Sequence, residues 1–438
     1  MFINCLWRFL SNIYFIFEML WIISVTYLDF LYDKNYPLFI QNITRRLASK
    51  NILYVKFFQA ISLNNNLIDG ATNQELIKYT DSVPYCSDDI DWEVIMNLKT
   101  VYGIDFLQNT TPINAGMISL VYKMNDGIQN QEIVVKIKRV GIEKKLHNAI
   151  DKMKFMIYLL SFIPQLNHFN LLDSFNKNII IFKNQLDFEQ EVQNTVKMKN
   201  DCKNLKYIKI PKVYESVTKL FPNVIVMEYI SGVHISKLEE SDYEPFAKLV
   251  VKYGVVSSFM NGFGHGDLHA GNILFIKNGD NYKLGLIDFG IVLEIHEDVR
   301  DKFMGIFYDF FNKPPLEISN DFLSCFVEPK KVFQKLPKEH KETLVQMTEK
   351  IIENVIHGSK TANQSKLFEF IIHFNDYLSH NDLKKHGLYF NDDFIKMQMG
   401  LAMAQGVCLC LCKNNYIEIA NKVSNEMFHN DIFFKEEL

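Results

Sequence analysis

The chain has 438 residues, 48% of them hydrophobic, so it is long and apolar enough to form two or three packed units. Its 47 basic and 51 acidic side chains are mixed along the sequence and give a formal net charge of -4. Because no strong positive field results, a nucleic-acid partner is not expected. The composition also argues against a mainly disordered chain.

The cysteines indicate a reducing environment. The seven residues are Cys5, Cys86, Cys202, Cys325, Cys408, Cys410 and Cys412. They form no CxxC pair and have no nearby histidine at a spacing suited to zinc. We therefore expect free thiols and an intracellular, reducing compartment.

Residues 2–32 are rich in Phe, Leu, Ile, Trp and Tyr, and they predict a helix with a wide apolar face. Five polar residues interrupt this segment too often for a transmembrane span of about 20 apolar residues. These residues are Asn12, Glu18, Ser24, Thr26 and Asp29. We expect the helix to pack its apolar face on the rest of the protein. The alternative is an interfacial helix that gives peripheral membrane association.

Changes of pattern divide the chain into three regions. Residues 1–103 are predicted to form a helical extension, and residues 104–230 mix strands with helices. Residues 231–438 are mostly helical, with one prominent hairpin. We interpret the second region as the smaller lobe and the third region as the larger lobe of a two-lobed domain.

A β-hairpin is predicted near the start of the second region. Ile118–Lys123 and Glu132–Lys138 are short β-branched runs separated by the turn sequence Asn125-Asp-Gly127. The loop before this hairpin contains Ala115 and Gly116 but is not glycine-rich. A nucleotide bound beside this loop would therefore be positioned differently than in ordinary protein kinases, whose phosphate-binding loop is glycine-rich.

Lys136 is the candidate phosphate-binding lysine of the second strand. Strand alternation places its side chain on the same side as Val134 and opposite Val135. A lysine that contacts the α- and β-phosphates of ATP needs an acidic partner on a helix, and Glu191 lies in a suitable helical segment. The alternative is that both side chains are simply solvated.

A further strand, Asn223–Met227, leads into the predicted link between the lobes. The backbone of Met227, Glu228 and Tyr229 offers hydrogen-bonding groups to an adenine ring there. Side-chain identity matters little for such contacts.

The third region contains the metal-binding candidates. Ile273–Ile276 and Lys283–Ile287 flank an Asn-Gly turn and should pair as a hairpin. The hairpin would return Asn272 and Asp288 to the same edge. Two oxygen ligands converging in this way are a natural site for Mg²⁺.

Asp267 is the candidate catalytic residue. It lies five residues before Asn272, which is the spacing of a kinase catalytic loop, and Asp288-Phe-Gly290 follows at the expected distance. Phosphoryl transfer requires a carboxylate beside the attacking hydroxyl or water, a metal ion on the phosphates and charge neutralisation. The sequence therefore predicts an Mg²⁺- and ATP-dependent site. In the same region, the apolar segment Met399–Cys412 predicts a buried helix.

These motifs together resemble the UbiB/AarF family of atypical kinases, also called ADCK proteins, over residues 45–300. The similarity rests on Asn114–Met117, Val134–Gly141, Val226–Gly232 and His265–Asn272. The most family-specific element is a Lys-x-Gly-Gln helix, which Lys56-Phe-Phe-Gln59 resembles.

The resemblance implies an α+β, bilobal protein-kinase-like fold with an N-terminal helical extension and a helix-rich C-lobe. It implies that Lys56 and Gln59 project into the nucleotide cleft. It also implies ATP hydrolysis or a lipid-linked substrate, in support of ubiquinone or other isoprenoid-lipid metabolism. Phe58 replaces the family's glycine, and Gln185 replaces the first acid of its Glu-x-Asp motif.

Three functional hypotheses follow. The first is an atypical kinase or ATPase of this family. The second is a small-molecule phosphotransferase of the aminoglycoside or choline kinase type, which shares the catalytic-loop pattern but not the element at Lys56 and Gln59. The third is a scaffold that binds ATP without productive chemistry. Sequence alone does not identify the phosphoryl acceptor.

Overall fold

The structure is a computed structural model. It describes residues 2–55, 58, 83–107, 110–162, 171–309, 313–356, 374, 377, 381, 387–412 and 416–429. The chain forms two compact units. The first contains Met1–Val196 and Pro211–Ile230, and the second contains Lys197–Ile210 and Ser231–Leu438.

Helices surround a small sheet in the first unit. They are α1 (Phe2–Asp33), α2 (Tyr36–Lys50), α3 (Trp92–Tyr102), α4 (Ile142–Leu160), α5 (Leu171–Asn184), α6 (Phe188–Asp201), which continues into the second unit, and α7 (Glu215–Leu220). Local signals define their ends. Asp91 caps α3 by accepting a hydrogen bond from the Val94 amide, and the helix stops at Gly103, whose φ of 66° is easily adopted only by glycine.

The sheet of the first unit is antiparallel. Its strands are β1 (Ile104–Phe106), β2 (Asn114–Ala115), β3 (Ser119–Asp126), β4 (Gln131–Lys138) and β6 (Val224–Glu228). The main order is β1-β3-β4-β6, and β2 pairs with β3. The hairpin predicted from the sequence is therefore confirmed.

The turn of this hairpin differs from the prediction. Strand β3 continues through Asp126, and residues 127–130 form the connection instead of Asn125–Gly127. The Asp126 carboxylate accepts hydrogen bonds from the amides of Ile128 and Gln129, at 2.9 and 3.1 Å. The side chain therefore stabilises a later and longer turn than the two-residue rule predicts.

The two faces of β4 enter different clusters. Ile133, Val135 and Ile137 are buried against α3 and β3 on one face. Val134 lies on the other face, which carries Lys136 and is partly covered by α6. Each fully buried aliphatic side chain stabilises the fold by about 1.5–3 kcal/mol. The alternation predicted for Lys136 is thus confirmed.

Helix α1 packs on the protein along one narrow stripe. Phe15, Met19, Ile22 and Thr26, three or four residues apart, are its buried side chains among those that the structure describes. Most other large apolar side chains of α1 are exposed. The prediction that the wide apolar face packs on the protein is therefore correct only for this stripe, because α2 and α4 cover only a narrow part of the circumference.

Among the described residues, two helical segments, Leu6–Asp33 and Asp392–Leu411, are long and apolar enough to cross a membrane by length and composition. Core helices of soluble proteins share this length and composition. The sequence-based prediction that residues 2–32 do not span a membrane stays a prediction.

The second unit is mostly helical. Its helices are α8 (Tyr243–Val255), α9 (Glu297–Asp309), α10 (Pro315–Phe326), α11 (Lys330–Gln334), α12 (Lys338–Ile356), α13 (Asp392–Leu411) and α14 (Tyr416–His429). Its strands are β5 (Ile208–Lys209), β7 (Phe263–His265), β8 (Ile273–Asn278), β9 (Asn281–Leu286), β10 (Val292–Glu294), β11 (Val327–Glu328) and β12 (Tyr389–Phe390). They form the sheets β5-β9-β8, β10-β7 and β11-β12.

Helix α13 lies in the core of the second unit. Ala404, Val407 and Cys408 are buried in a cluster that also contains Phe246 and Val250 of α8. The buried helix predicted for residues 399–412 is confirmed. All six cysteines whose side chains the structure describes are free thiols.

Close packing of α8 on α13 requires a glycine. A Cβ atom at Gly254 would lie 2.5 Å from the Cβ atom of Ala404. We expect Gly254→Ala to lower the free energy of unfolding by about 1–3 kcal/mol, because the two helices must separate. Gly406→Ala in α13 is the control, since its Cβ would meet no atom within 4 Å. Urea titration should show the control unchanged or stabilised by about 1 kcal/mol, from its better helix propensity. Equal stability of the two variants would contradict the prediction.

Candidate functional site

The predicted catalytic loop follows strand β7 and is fixed by its own hydrogen bonds. The Asp267 amide donates to Nδ1 of His265 at 3.1 Å. The Asp267 carbonyl accepts from Nδ2 of Asn272 at 2.9 Å and from the His269 amide at 3.0 Å. At Gly266, a Cβ atom would lie 2.7 Å from Ile291, so the loop approaches its neighbour too closely for a larger residue. The backbone at Asp267 is therefore held from both sides.

His265 orients this loop from the interior. Its side chain is buried, and its ring lies 5.3 Å from the ring of Phe289. Burial lowers the pKa of His265 to about 4, although the nearby Asp288 and Asp267 act in the opposite direction. The imidazole is therefore neutral near pH 7, which leaves Nδ1 as an acceptor for the Asp267 amide.

The predicted hairpin β8–β9 brings Asn272 and Asp288 to one edge. Ile273 pairs with Leu286, and the Ile287 amide donates to the Asn272 carbonyl at 3.3 Å. At the opposite end, Gly279 supplies the positive φ that the tight turn requires. The position of Asn272 and Asp288 at the same edge of the hairpin is therefore a consequence of antiparallel pairing.

The donor atoms at this edge suit a hard cation. Asn272 uses its amide nitrogen within the loop, so its amide oxygen is the atom that can bind a metal. Oδ1 of Asp288 accepts from the Gly290 amide at 3.0 Å, which orients the carboxylate. Within the described part of the chain, no three His, Cys, Asp or Glu side chains form a metal-binding group. One carboxylate and one amide fit Mg²⁺ if phosphate oxygens and water complete its shell.

Lys136 and Glu191 meet in the first unit. Nζ of Lys136 lies 2.6 Å from Oε1 of Glu191, and their side chains are 12% and 4% exposed. Nζ also lies 5.5 Å from the ring centroid of Phe188. Helix α6 begins beside this contact, where Oδ1 of Asp187 accepts from the Gln190 amide. The expected contact is present, while its role toward a nucleotide stays a prediction.

Ala115 ends strand β2, and Gly116 begins the tight turn that leads into β3. The Ala115 carbonyl accepts from the Val83 amide at 2.9 Å, and the Gly116 amide donates to the Ser119 carbonyl at 3.0 Å. A Cβ atom at Gly116 would lie 3.5 Å from the Ser119 carbonyl oxygen, an ordinary contact. The turn therefore does not depend on glycine at this position.

The predicted adenine-binding segment is already engaged in local pairing. Met227 pairs with Val134 and has a buried side chain. The Glu228 amide donates to the Lys212 carbonyl at 2.8 Å, so this amide is committed within the protein. The Tyr229 ring lies under Lys123, with Nζ 4.0 Å from its centroid. The role of Met227, Glu228 and Tyr229 toward an adenine ring stays a prediction, and the Glu228 amide is bonded to the Lys212 carbonyl in this structure.

Lys56 and Gln59 lie outside the described residues. Their neighbour Val55 is buried in the cluster that contains Met117 of the loop before β3 and Phe188 of α6. The residues next to the predicted Lys-x-Gly-Gln element therefore pack beside the candidate nucleotide loop.

Both departures from the family pattern are visible. Phe58 is buried, and its ring stacks on Tyr54 with centroids 6.2 Å apart. Oε1 of Gln185 is buried without a hydrogen-bond partner among the described residues. The bulk of Phe58 is thus accommodated by aromatic packing.

Arg139 and Asp89 form a supporting contact that the sequence analysis did not single out. The buried Arg139 guanidinium donates to the carbonyls of Pro84 and Val83 at 2.8 and 3.1 Å. It also lies 3.3 Å from the Asp89 carboxylate. The arginine directly after β4 was a usable signal, but its partners are some fifty residues away. This contact attaches the segment before α3 to the end of β4.

Comparisons with known proteins agree with these motifs. The family model of the ABC1 atypical kinase-like domain matches residues 95–321. "Probable protein kinase UbiB" of Shewanella woodyi is 27% identical over 293 residues, which cover 63% of this chain and 52% of that protein. An uncharacterized chloroplastic aarF domain-containing protein kinase of Arabidopsis thaliana is 24% identical over 309 residues, with coverages of 68% and 42%.

The chain spans about half the length of the curated relatives it matches. Among solved structures, that of the Rio2 kinase–ADP/Mg²⁺–phosphoaspartate complex from Chaetomium thermophilum is 11% identical. The match covers 80% of this chain and 94% of that one, with a TM-score of 0.29, which is too low to bear on the fold. The family model, in contrast, matches more than half of the sequence. The chain therefore belongs to the ABC1 atypical kinase-like domain family, as its resemblance to the UbiB/AarF kinases predicted, and it has the mixed helix-and-sheet, kinase-like fold.

Proposed function

We propose that this protein binds ATP with Mg²⁺ and acts as a phosphotransferase or ATPase. The observation that carries the proposal is the convergence of Asp267, Asn272 and Asp288 through one hydrogen-bonded loop and one hairpin. Phosphoryl transfer depends on positioning and charge stabilisation, and rigid backbone supports both. Bound Mg²⁺ would neutralise charge on the phosphate oxygens, held by Asn272 and Asp288.

Lys136 would contact the α- and β-phosphates. Its ion pair with Glu191 holds the ammonium group in one place and limits its motion. A lysine that is only 12% exposed loses much of its hydration, so phosphate oxygens would replace water as its partners. Family membership supports this role for Lys136.

Asp267 would act on the nucleophile. Its carboxylate would accept the proton of an acceptor hydroxyl, or orient water for hydrolysis. The hydrogen bonds at its amide and carbonyl fix the backbone, so the side chain starts from a defined position.

The metabolic role is proposed from the family to which the chain belongs. The relatives named UbiB and the resemblance described above support a role in ubiquinone or other isoprenoid-lipid metabolism. The described free thiols favour a reducing, intracellular location. The competing functions are phosphoryl transfer to a small hydroxylated molecule and a scaffold that binds ATP without turnover.

The test is Mg²⁺-dependent ATP binding and hydrolysis by the purified full chain and by Asp288→Asn. We expect the wild type to turn over ATP, and we expect the variant to lose about 10²–10³-fold in kcat, because a preorganised charge is removed. Asp280→Asn is the matched control. It makes the same chemical change at the exposed tip of the same hairpin and should retain wild-type turnover.

Three results would redirect the proposal. Binding without turnover in the wild type would favour the scaffold. Rapid transfer to one member of a panel of hydroxylated small molecules would favour a small-molecule phosphotransferase. Absence of nucleotide binding by the wild type would contradict an ATP site altogether.

A further inference from the structure

Helix α1 presents a broad apolar face to its surroundings. Trp7, Leu10, Phe17, Trp21 and Leu28 recur three, four or seven residues apart and therefore lie on one side of the helix. Their exposed fractions are 75%, 50%, 67%, 70% and 62%. Single exposed apolar residues need no explanation, but a continuous face of this size marks an interaction surface.

Three of the four charged side chains of α1 form ion pairs with the first unit. Arg8 pairs with Asp151 of α4. Glu18 pairs with Lys50 of α2 at 2.6 Å. Asp29 lies 3.4 Å from Arg46, which also donates to the hydroxyl of Thr26 at 2.8 Å. Three of the four charges along the helix thus contact the first unit, while the opposite face consists of aliphatic and aromatic side chains and Ser24.

This charge pattern distinguishes between two possible partners. A second copy of the chain, packed as a coiled coil, would need a narrow apolar seam bordered by charged residues. Here one border is apolar as well, since Phe9, Leu20 and Tyr27 on one side of the central row are 50%, 56% and 51% exposed, and the apolar arc is therefore wider than a seam. A wide apolar face that carries tryptophan and tyrosine suits the boundary between lipid headgroups and acyl chains.

We propose that α1 lies in the plane of a membrane surface and inserts its outer face, from Trp7 to Leu28, into one leaflet of the bilayer. The stripe from Phe15 to Thr26 and the ion pairs from Arg8 to Asp29 hold the helix to the protein along most of its length. A spanning orientation would transfer these contacts to hydrocarbon, where unmatched charges are costly. The surface goes beyond the proposed phosphate chemistry, and its test does not depend on ATP turnover.

The first test is flotation of the full-length protein with phosphatidylcholine vesicles. We expect wild-type protein to float and Phe17→Glu/Trp21→Glu/Leu28→Glu to lose at least about 100-fold in vesicle affinity, because three large apolar side chains no longer insert. These positions are exposed, so the fold should be retained and can be verified by circular dichroism.

The matched control is Trp92→Glu/Met96→Glu/Val101→Glu on α3 of the same unit. These side chains are 46%, 61% and 53% exposed, and the control should float like the wild type. Equal flotation of both triple variants, or no flotation of the wild type, would overturn the proposal. The proposal would also be overturned if the wild type formed a dimer in lipid-free solution, the α1 variant abolished this dimer, and neither protein floated.

The second test measures depth. Trp7, Trp21 and Trp92 are the three tryptophans of the chain, and single-tryptophan versions can be made by changing the others to Phe. Trp7 and Trp21 are separated by about 21 Å along the helix axis. An in-plane helix predicts equal quenching of both by shallowly brominated lipids and little quenching of Trp92. Depths that differ by about 20 Å would indicate a spanning helix and overturn the in-plane arrangement.

Discussion

Replacing Asp267 by Asn should reduce ATP turnover by about 10²–10⁴-fold, because the carboxylate that receives or directs the proton is lost. ATP affinity should change little, since the side chain acts on the nucleophile and the loop bonds come from the Asp267 backbone. Steady-state turnover and nucleotide binding, measured with the same protein preparation, separate the two effects.

The control for Asp267→Asn is Asp298→Asn. Its carboxylate lies in the first turn of α9 and is 82% exposed, so turnover should stay at the wild-type level. A scaffold predicts a different pattern in cells, with little loss of function from Asp267→Asn and a large loss from Lys136→Ala. Equal loss from both changes would argue against the scaffold. Full turnover by Asp267→Asn would contradict its catalytic role.

Local sequence rules predicted the parts of the site that depend on short-range pairing. The hairpin β8–β9 follows from two apolar strands and an Asn-Gly turn, and its register brings Asn272 and Asp288 to one edge. Strand alternation predicted the side on which Lys136 lies. In both cases the relevant partners are close in sequence or fixed by the strand period.

Contacts between distant segments were harder to predict. The Glu228 amide is taken by Lys212, and Arg139 is held by Pro84 and Asp89. Neither pairing has a periodic signal, because each depends on how segments meet in three dimensions. The Asp126 turn is a different case, since a side-chain cap overrode the preferred two-residue connection.

The exposed face of α1 was also hard to predict from the sequence. Hydrophobic content predicted an apolar helix, and the structure confirms a continuous helix from Phe2 to Asp33. Which part of its circumference is covered depends on α2 and α4, which pack on α1 through side chains such as Leu47 and Phe155. Hydrophobic composition does not distinguish a helix face that packs on protein from a helix face that would bind a membrane.

The buried ion pair of Lys136 and Glu191 should dominate the local stability of the first unit. We expect Lys136→Met to lower the free energy of unfolding by about 3–5 kcal/mol, because it removes the cation that lies 2.6 Å from the buried Glu191 carboxylate. Glu191→Leu should cost a similar amount. The double variant should be more stable than either single variant, because neither member of this pair is then buried without the other. Urea unfolding of the four proteins gives the coupling energy directly.

The matched control for this cycle is the exposed pair of Lys123 and Glu132 on the hairpin β3–β4. Its Nζ and Oε1 atoms are 2.7 Å apart, but the side chains are 28% and 50% exposed, against 12% and 4% for the buried pair. Water screens the exposed pair, so Lys123→Met and Glu132→Leu should couple by no more than about 1 kcal/mol. A similarly small coupling between Lys136 and Glu191 would show that water reaches their contact, and that burial does not hold this lysine in position for phosphate.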